Sequence, residues 1–480
     1  MLPFQKLKIA LQSSFGFEPT AGQATLMNLL CSFITTEKHN PVFILKGYAG
    51  TGKTTIVGAL VRALPSIQHK TMLLAPTGRA SKVLGNYAGR QAYTIHKKIY
   101  KTSNDEFSGA KFSLQNNTFN NMLFIVDEAS MISDAQSEFG NSLLEDLLTY
   151  VFMGNNCKLL FIGDKAQLPP VGLSLSHALD VEYLTKNFSL SINDFELTEV
   201  MRQNKTSAIL NNATNLRNLL LSKPEAEPGK VVVYDKEEIK INATNEVKIV
   251  DGLELQDILD ANYRKYGVDD TIVICRSNKR ANAYNQQIRA RVLDKDPEST
   301  ITAGDLMMVV KNNYNWLGKE SSTDFIANGD IIQIKRVKKY IEMHGFNFAS
   351  VTVKMLDFPN DPEFDCNILL DTIMADSPAL PNDKNQELYK SVVADYIHIE
   401  NAGIRFKSIK ADPFLNALQV KFAYAVTCHK AQGGQWQSVF VEQAYLPEGK
   451  FDRDYLRWLY TAFSRATQQL NLIGFDEMCE

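Results

Sequence analysis

The chain has 480 residues, 45% of them hydrophobic and 22% charged. That mix excludes a wholly disordered chain, and the length suffices for about three domains or subdomains. With 51 basic and 54 acidic residues the net charge is −3, which excludes a strongly basic nucleic-acid coat while leaving room for a locally basic groove.

The first 200 residues alternate short apolar runs with amphipathic stretches. Helices are expected at Ala21–Thr36 and Lys53–Leu64, and strands at Val42–Lys46, Met72–Ala75, Leu123–Asp127, Lys158–Gly163 and Phe195–Thr198. Runs such as LFIVD and LLFIG suit strands buried on both faces of a parallel sheet. The alternation predicts a doubly wound α/β domain over 1–194. One polar segment, Lys97–Asn121, carries Asn-Asp and Ser-Gly turn signals and reads as a small hairpin insert with its tip near Asn104–Gly109.

A second α/β pattern begins near residue 195 and comes in two parts, 195–300 and 411–480. It holds helices at Ser207–Leu221 and Lys279–Val292 and a strand at Thr271–Cys275, and the pattern resumes at Phe422–Thr427, Ser438–Glu442, Asp454–Ala466 and Gln469–Gly474. Between the parts, 301–410 reads as β-rich: GDLMMVV, NGDIIQIKRV and ASVTVKML look like strands of a small barrel, with a turn at Asn328-Gly329. From Asp357 to Glu400 ten acids face only Lys384 and Lys390, a net −8 that leaves +5 on the rest of the chain. This segment is a solvated surface insertion, or it marks where an anionic partner does not bind. No apolar run approaches the ~18 residues of a membrane span. The first residues lack the apolar core and cleavage site of a signal peptide. Six scattered cysteines without a CxxC make a disulfide scaffold or zinc site unexpected and fit a reducing cytoplasm.

Gly47-Tyr48-Ala49-Gly50-Thr51-Gly52-Lys53-Thr54 matches GxxxxGK[ST], follows a buried strand and opens a helix. Its glycines let backbone N–H groups converge on phosphate oxygens, and the helix N-terminus adds its dipole. Lys53 would reach the β- and γ-phosphates and the Thr54 hydroxyl would ligate Mg²⁺. Asp127 and Glu128 end a second buried strand, where α/β sheets bind ligands; Asp127 suits Mg²⁺, and Glu128 suits polarising an attacking water. Gln167, in GDKAQLPPVG, would read the γ-phosphate or bond locally in a rigid Pro-Pro loop. Arg202 and Arg465 are candidate cations for the γ-phosphate, or ordinary ion-pair residues. Gln23 either recognises an adenine edge or serves a capping box with Thr20.

The ordered blocks EPTAGQ, GYAGTGKTT, LLAPTGRAS, TIHK, VDEASM, GDKAQLPPVG, LTEVMRQ, VICRSNKRANAYNQQIR, YAVTCHKAQGGQWQSVFVE and LYTAFSRATQQL resemble the superfamily 1 helicases, and most of all the RecD/Dda-type group of superfamily 1B. The resemblance runs from Gln23 to about Gly474. It implies two RecA-like domains with ATP and Mg²⁺ between them, served by Gln23, Gly47, Gly50, Thr51, Gly52, Lys53, Thr54, Thr55, Asp127, Glu128, Gln167, Arg202, Gly434 and Arg465. It places a wedge hairpin at Lys97–Asn121 and a small barrel subdomain at the β-rich insert. The acidic stretch has no counterpart among these motifs.

Thr77, Arg79 and Lys82 follow one strand end, Thr94 and His96 precede the hairpin, and Thr427, His429 and Lys430 follow another strand end. Hydroxyls, N–H groups and cations suit backbone phosphates. The family uses these blocks to grip one strand; taken singly, each His is equally an ordinary packed or surface residue. Phe107 and Phe112 flank the hairpin turn and would stack on a base pair at a fork, or pack onto their own domain. The resulting expectation is a monomeric cytoplasmic DNA helicase acting on single strands and fork junctions, moving 5′→3′ by resemblance, in replication, repair or recombination. An RNA helicase, a non-unwinding translocase and a nucleotide-dependent clamp without turnover stand as alternatives.

Overall fold

Two parallel sheets dominate the computed structural model, each built from strands with apolar side chains on both faces. The structure describes residues 2–105, 109–134, 140–170, 172–201, 207–223, 231–318, 320–321, 325–443 and 451–475, with only the backbone course of 102–105 and 109–112. Along the chain the first strands are β1 (Pro41–Gly47), β2 (Lys70–Ala75), β3 (Ala92–Thr94), β4 (Tyr100–Asp105), β5 (Gly109–Leu114), β6 (Met122–Val126), β7 (Lys158–Gly163) and β8 (Ser191–Leu197). The first sheet has the order β3-β2-β6-β7-β1-β8, all parallel. Every residue of β6 and β7 is buried, as continuous apolar runs require. Because β8 pairs with β1 up to Leu197 opposite Gly47, this sheet extends past the expected limit at 194.

The polar excursion forms a hairpin: β4 and β5 pair antiparallel from Tyr100 opposite Leu114 to Asp105 opposite Gly109. Its base is anchored where the Tyr100 hydroxyl donates to Asp146 Oδ2 at 2.7 Å. The tip with Phe107, and the side chain of Phe112, lie outside the described residues.

The chain continues with β9 (Val233–Tyr234), β10 (Val247–Val250), β11 (Thr271–Cys275), β12 (Leu306–Val309), β13 (Ile331–Met343), β14 (Phe346–Met355), β15 (Phe364–Leu369), β16 (Leu418–Phe422), β17 (Ala425–Thr427), β18 (Trp436–Glu442), β19 (Phe451–Asp452) and β20 (Ala466–Ile473). The second sheet has the order β10-β20-β18-β11-β17, again parallel, and β12 to β16 close a barrel. The segment Phe422–Thr427 is therefore shared by two strands in two units, and the barrel runs past 410. The break has a physical cause. Buried Asn285 accepts the N–H groups of Tyr424 (3.1 Å) and Ala425 (2.7 Å) through Oδ1 and donates to Ala425 O at 2.8 Å, satisfying the backbone where it leaves the barrel.

The insert is less purely β than its sequence reads. Helices Asn382–Asp395 and Ala402–Lys410 pack on the barrel through Leu388, Val392 and Ile409 against Phe346 and Phe348. An N-terminal helix, Pro3–Phe15, was also not anticipated; Leu7, Leu11 and Phe15 form its buried stripe against the helix Lys53–Ala63. No described helix is long and apolar enough to cross a membrane.

Candidate nucleotide cleft and strand track

Parallel strands deliver their following loops to one edge of a sheet. Here β1, β6 and β7 bring Gly47–Gly52, Asp127–Glu128 and Asp164–Gln167 to one end of a cleft of about 480 Å³ that faces the second sheet. Gly50 (φ 75°) and Gly52 (φ 84°) adopt left-handed backbone, and Gly52 caps the helix Lys53–Ala63. That conformation strains any side chain, and a Cβ on Gly52 would also meet Gln23 Nε2 at 2.7 Å. The first N–H groups of the helix are left for an anion. Lys53 Nζ is folded back on the loop, donating to Gly47 O at 2.6 Å and Tyr48 O at 2.8 Å. Gly50, Gly52, Lys53, Thr54 and Thr55 line the cleft, whereas Thr51 is buried at the base of the loop with its hydroxyl on Tyr48 O.

Asp127 and Glu128 follow β6 at the cleft. Glu128 takes a left-handed φ of 51° and its N–H donates to Asp127 Oδ1 at 2.9 Å. Burial, and next the neighbouring Glu128, push the Asp127 carboxyl up, while Lys53 and Arg465 pull it down. Asp164 is buried in the same corner and is also pushed up by burial, against the pull of Lys53 and of its bond from Tyr460. Thr54 and Asp127 thus offer hard oxygen donors beside anionic groups that burial disfavours, a donor set that fits a divalent cation.

The second domain completes the cleft with Arg465. Its Nη1 lies 3.6 Å from Glu128 Oε1 and 3.3 Å from Gly434 O, and its Nε donates to Thr461 O at 3.1 Å. Gly434 therefore holds the arginine by its carbonyl, and Gly433 lines the cleft in its place. Gln167 lines the cleft, and its buried Oε1 has no hydrogen-bond partner among the described residues, so the oxygen is not spent on its own loop. Gln23 does form the capping box with Thr20, and its Nε2 donates to Thr51 O at 3.1 Å. It braces the phosphate loop from behind and is not among the cleft-lining side chains. Arg202 lies outside the described residues.

Five of the candidate strand-binding residues line two cavities. Thr77, Arg79, Lys82 and Lys430 line a cavity of about 350 Å³ between the helix Gly78–Ala88, the second sheet and the barrel. Arg79 is not open there: its guanidinium stacks 4.0 Å from the Trp436 ring and donates to Gln435 O at 3.2 Å. Lys430 Nζ has no hydrogen-bond partner among the described residues, and burial, with Lys421 nearby, pushes its ammonium down to about 8. His96, held down to about 4 by burial, lines a second cavity of about 500 Å³ with Tyr100, Lys311 and Tyr314. Thr77 and Thr94 cap helices with their side chains, accepting from Ala80 and Lys97 N–H groups at 3.2 Å, while Thr427 caps without a side-chain bond and His429 is exposed.

Sequence reasoning missed four residues at these sites. Trp436, Gln432, Thr461 and Tyr460 all stand inside quoted motifs, but nothing in local spacing says that they touch the first domain. It also missed Asp330, and it read Asp357 only as the start of the acidic stretch; both acids reach the N-terminus of the helix Gly78–Ala88, where a Cβ on Gly78 would meet Asp330 Oδ1 at 2.5 Å and Asp357 Oδ2 at 3.5 Å.

Comparison with known proteins returns two family models, an AAA domain over residues 20–220 and a UvrD-like helicase C-terminal domain over 422–473. The ATP-dependent DNA helicase dda of Enterobacteria phage T4 is 27% identical over 343 residues, covering 66% of this chain and 67% of that protein. The ATP-dependent RecD2 DNA helicase of Deinococcus radiodurans is 34% identical over 136 residues, 28% of this chain and 16% of that protein. An uncharacterized protein of Methanocaldococcus jannaschii is 25% identical over 92% of this chain, which spans 37% of that relative's length.

Proposed function

The chain belongs to the superfamily 1B helicases of the RecD/Dda type, and from that premise we propose that it hydrolyses ATP to move along single-stranded DNA and to part duplex DNA. One observation carries the reading: a phosphate loop and an acid pair on one sheet are met at 3.6 Å by an arginine from the other. A binding clamp has no use for such an arrangement; a hydrolase does.

In this reading the N–H groups after Gly50 and the Lys53 ammonium hold the triphosphate. Thr54 and Asp127 would hold Mg²⁺, which supplies charge neutralisation at the phosphates. Glu128 takes the proton of the attacking water, and Gln167 offers its free amide oxygen to orient that water. Arg465 stabilises charge developing on the phosphoryl group. Since it travels with the second domain, hydrolysis is tied to the closed cleft. The strand would run past Thr77, Thr94, His96, Thr427, His429 and Lys430, gripped alternately by the two domains. Movement is 5′→3′, by likeness to the RecD/Dda-type group.

Two measurements test this together. ATP turnover should rise with added single-stranded DNA, and 5′-tailed DNA duplexes should be unwound in preference to 3′-tailed or RNA ones. Turnover without any unwinding would leave a translocase; preference for 3′ tails would reverse the polarity.

A further inference from the structure

The helix Arg453–Phe463 of the second domain reaches the first domain with two side chains that the mechanism above does not use. Tyr460 is fully buried; its hydroxyl accepts the Ala49 N–H at 2.9 Å and donates to Asp164 Oδ2 at 2.5 Å. Next to it, Thr461 Oγ1 accepts the Leu168 N–H at 2.9 Å, and Gln432 Nε2 donates to Leu168 O at 2.6 Å. Ala49 belongs to the phosphate loop, and Asp164 and Leu168 flank Gln167. One face of the second domain thus clasps both first-domain loops that would handle the γ-phosphate.

We propose that Tyr460 is a positioning residue for ATP hydrolysis: through its hydroxyl, the closed cleft holds Asp164 and the phosphate loop so that Lys53 is not drawn onto the Asp164 carboxylate. This rests on the nucleotide reading of the cleft.

The argument is one of hydrogen-bond accounting in a buried corner. Asp164 has two carboxylate oxygens. Oδ1 takes the Ala166 N–H at 2.9 Å and Oδ2 takes the Tyr460 hydroxyl. Each oxygen then has a partner, and Lys53 is close enough to act on the carboxyl's charge. Take away the hydroxyl and a buried anionic oxygen and the Ala49 N–H both lose their partner, which is costly in a dry site. Lys53 exerts the largest opposing pull on that carboxyl, so its ammonium would then be drawn towards Asp164 and off the phosphates. Opening the cleft has the same effect as removing the hydroxyl, because Tyr460 leaves with the second domain. Tyr460 therefore makes the readiness of Lys53 depend on domain closure, at a point separate from Arg465. Packing alone does not need the hydroxyl, since phenylalanine fills the same space.

The sharp test is Tyr460→Phe, read by steady-state ATP turnover at saturating single-stranded DNA. ATP is first bound in the open cleft, where Tyr460 contributes nothing, so KM should stay within about threefold. Turnover starts from the closed cleft, so kcat should fall about tenfold or more, as for a lost hydrogen bond to a charged group. Binding of a fluorescent ADP analogue, unchanged within about threefold, confirms an intact phosphate loop. Asp164→Asn supplies the second arm. If Tyr460 acts through Asp164, adding Tyr460→Phe to Asp164→Asn should change kcat by less than about twofold. Wild-type kcat in Tyr460→Phe, a loss confined to KM, or multiplicative losses in the double variant would each overturn the proposal. A wild-type protein without DNA-stimulated turnover would instead overturn the nucleotide reading itself.

Discussion

Arg465 Nη1 stands 3.6 Å from Glu128 Oε1, although the two side chains hang from different sheets. The arginine is almost fully buried and is tethered by two backbone carbonyls, Thr461 O and Gly434 O, so its guanidinium is aimed before any ligand arrives. An aimed cation opposite a carboxylate is an ion pair in itself, and it is also placed to stabilise negative charge that develops between them.

Replacing Arg465 with Ala should therefore slow ATP hydrolysis by roughly 10³, with a much smaller change in ATP affinity. Glu128→Gln should bind nucleotide normally and fail to turn it over. Rapid-quench kinetics beside equilibrium binding separates the two effects. If Arg465→Ala lost affinity alone, the arginine would be a ground-state contact.

Asp330 gives a pH signature. Its Oδ2 accepts the Ala327 N–H at 2.7 Å, but its buried Oδ1 has no hydrogen-bond partner among the described residues. Burial first, then Asp357, push this carboxyl from 3.8 up to about 7, with Lys97 pulling the other way. An acid raised in the folded state holds a proton that the unfolded chain has already released. Stability should then fall as pH rises through that window and stay low above it. Asp330→Asn should raise unfolding stability by on the order of 1–3 kcal/mol at pH 8, and by much less at pH 5. Denaturant titrations at the two pH values check this; equal effects at both would show that Asp330 is not raised.

Lys430 has a depressed ammonium at about 8, so it is charged below that pH and neutral above it. If it grips a phosphate, affinity for single-stranded DNA should weaken several-fold between pH 7 and 9. The salt slope of binding should shrink by about 0.7, one single-strand phosphate contact. Lys430→Arg should flatten the pH dependence. A wild-type affinity that ignores pH over this range would remove Lys430 from the strand track.

The hairpin of β4 and β5 stands beside the capped turn at Thr94 and His96. Replacing residues 105–111 with a short Gly-Asn turn should leave DNA-stimulated ATP turnover and single-strand translocation largely intact while sharply reducing duplex unwinding. A parallel fall in all three would make the hairpin a structural or binding element and end the wedge reading.

Much was legible in the chain because it depends on neighbours in sequence. The phosphate loop, the acids ending β6, the fully apolar strands and the hairpin at 97–121 are each written in a window of a few to some twenty-five residues, where backbone conformation and side-chain period are local properties. The barrel was visible from its alternating strands, but its closure by Leu418–Phe422 was not, because Asn285 decides where that run breaks from 140 residues away. Arg79 reads as an open phosphate ligand until the second sheet sets Trp436 against it. Tyr460 reads as one aromatic in a helix until stacking of the two domains puts its hydroxyl between Ala49 and Asp164, 296 residues from the latter. Local periodicity states which face of an element is apolar. Which polar atom meets which across two domains follows only from how those faces are stacked, and that is a property of the tertiary structure.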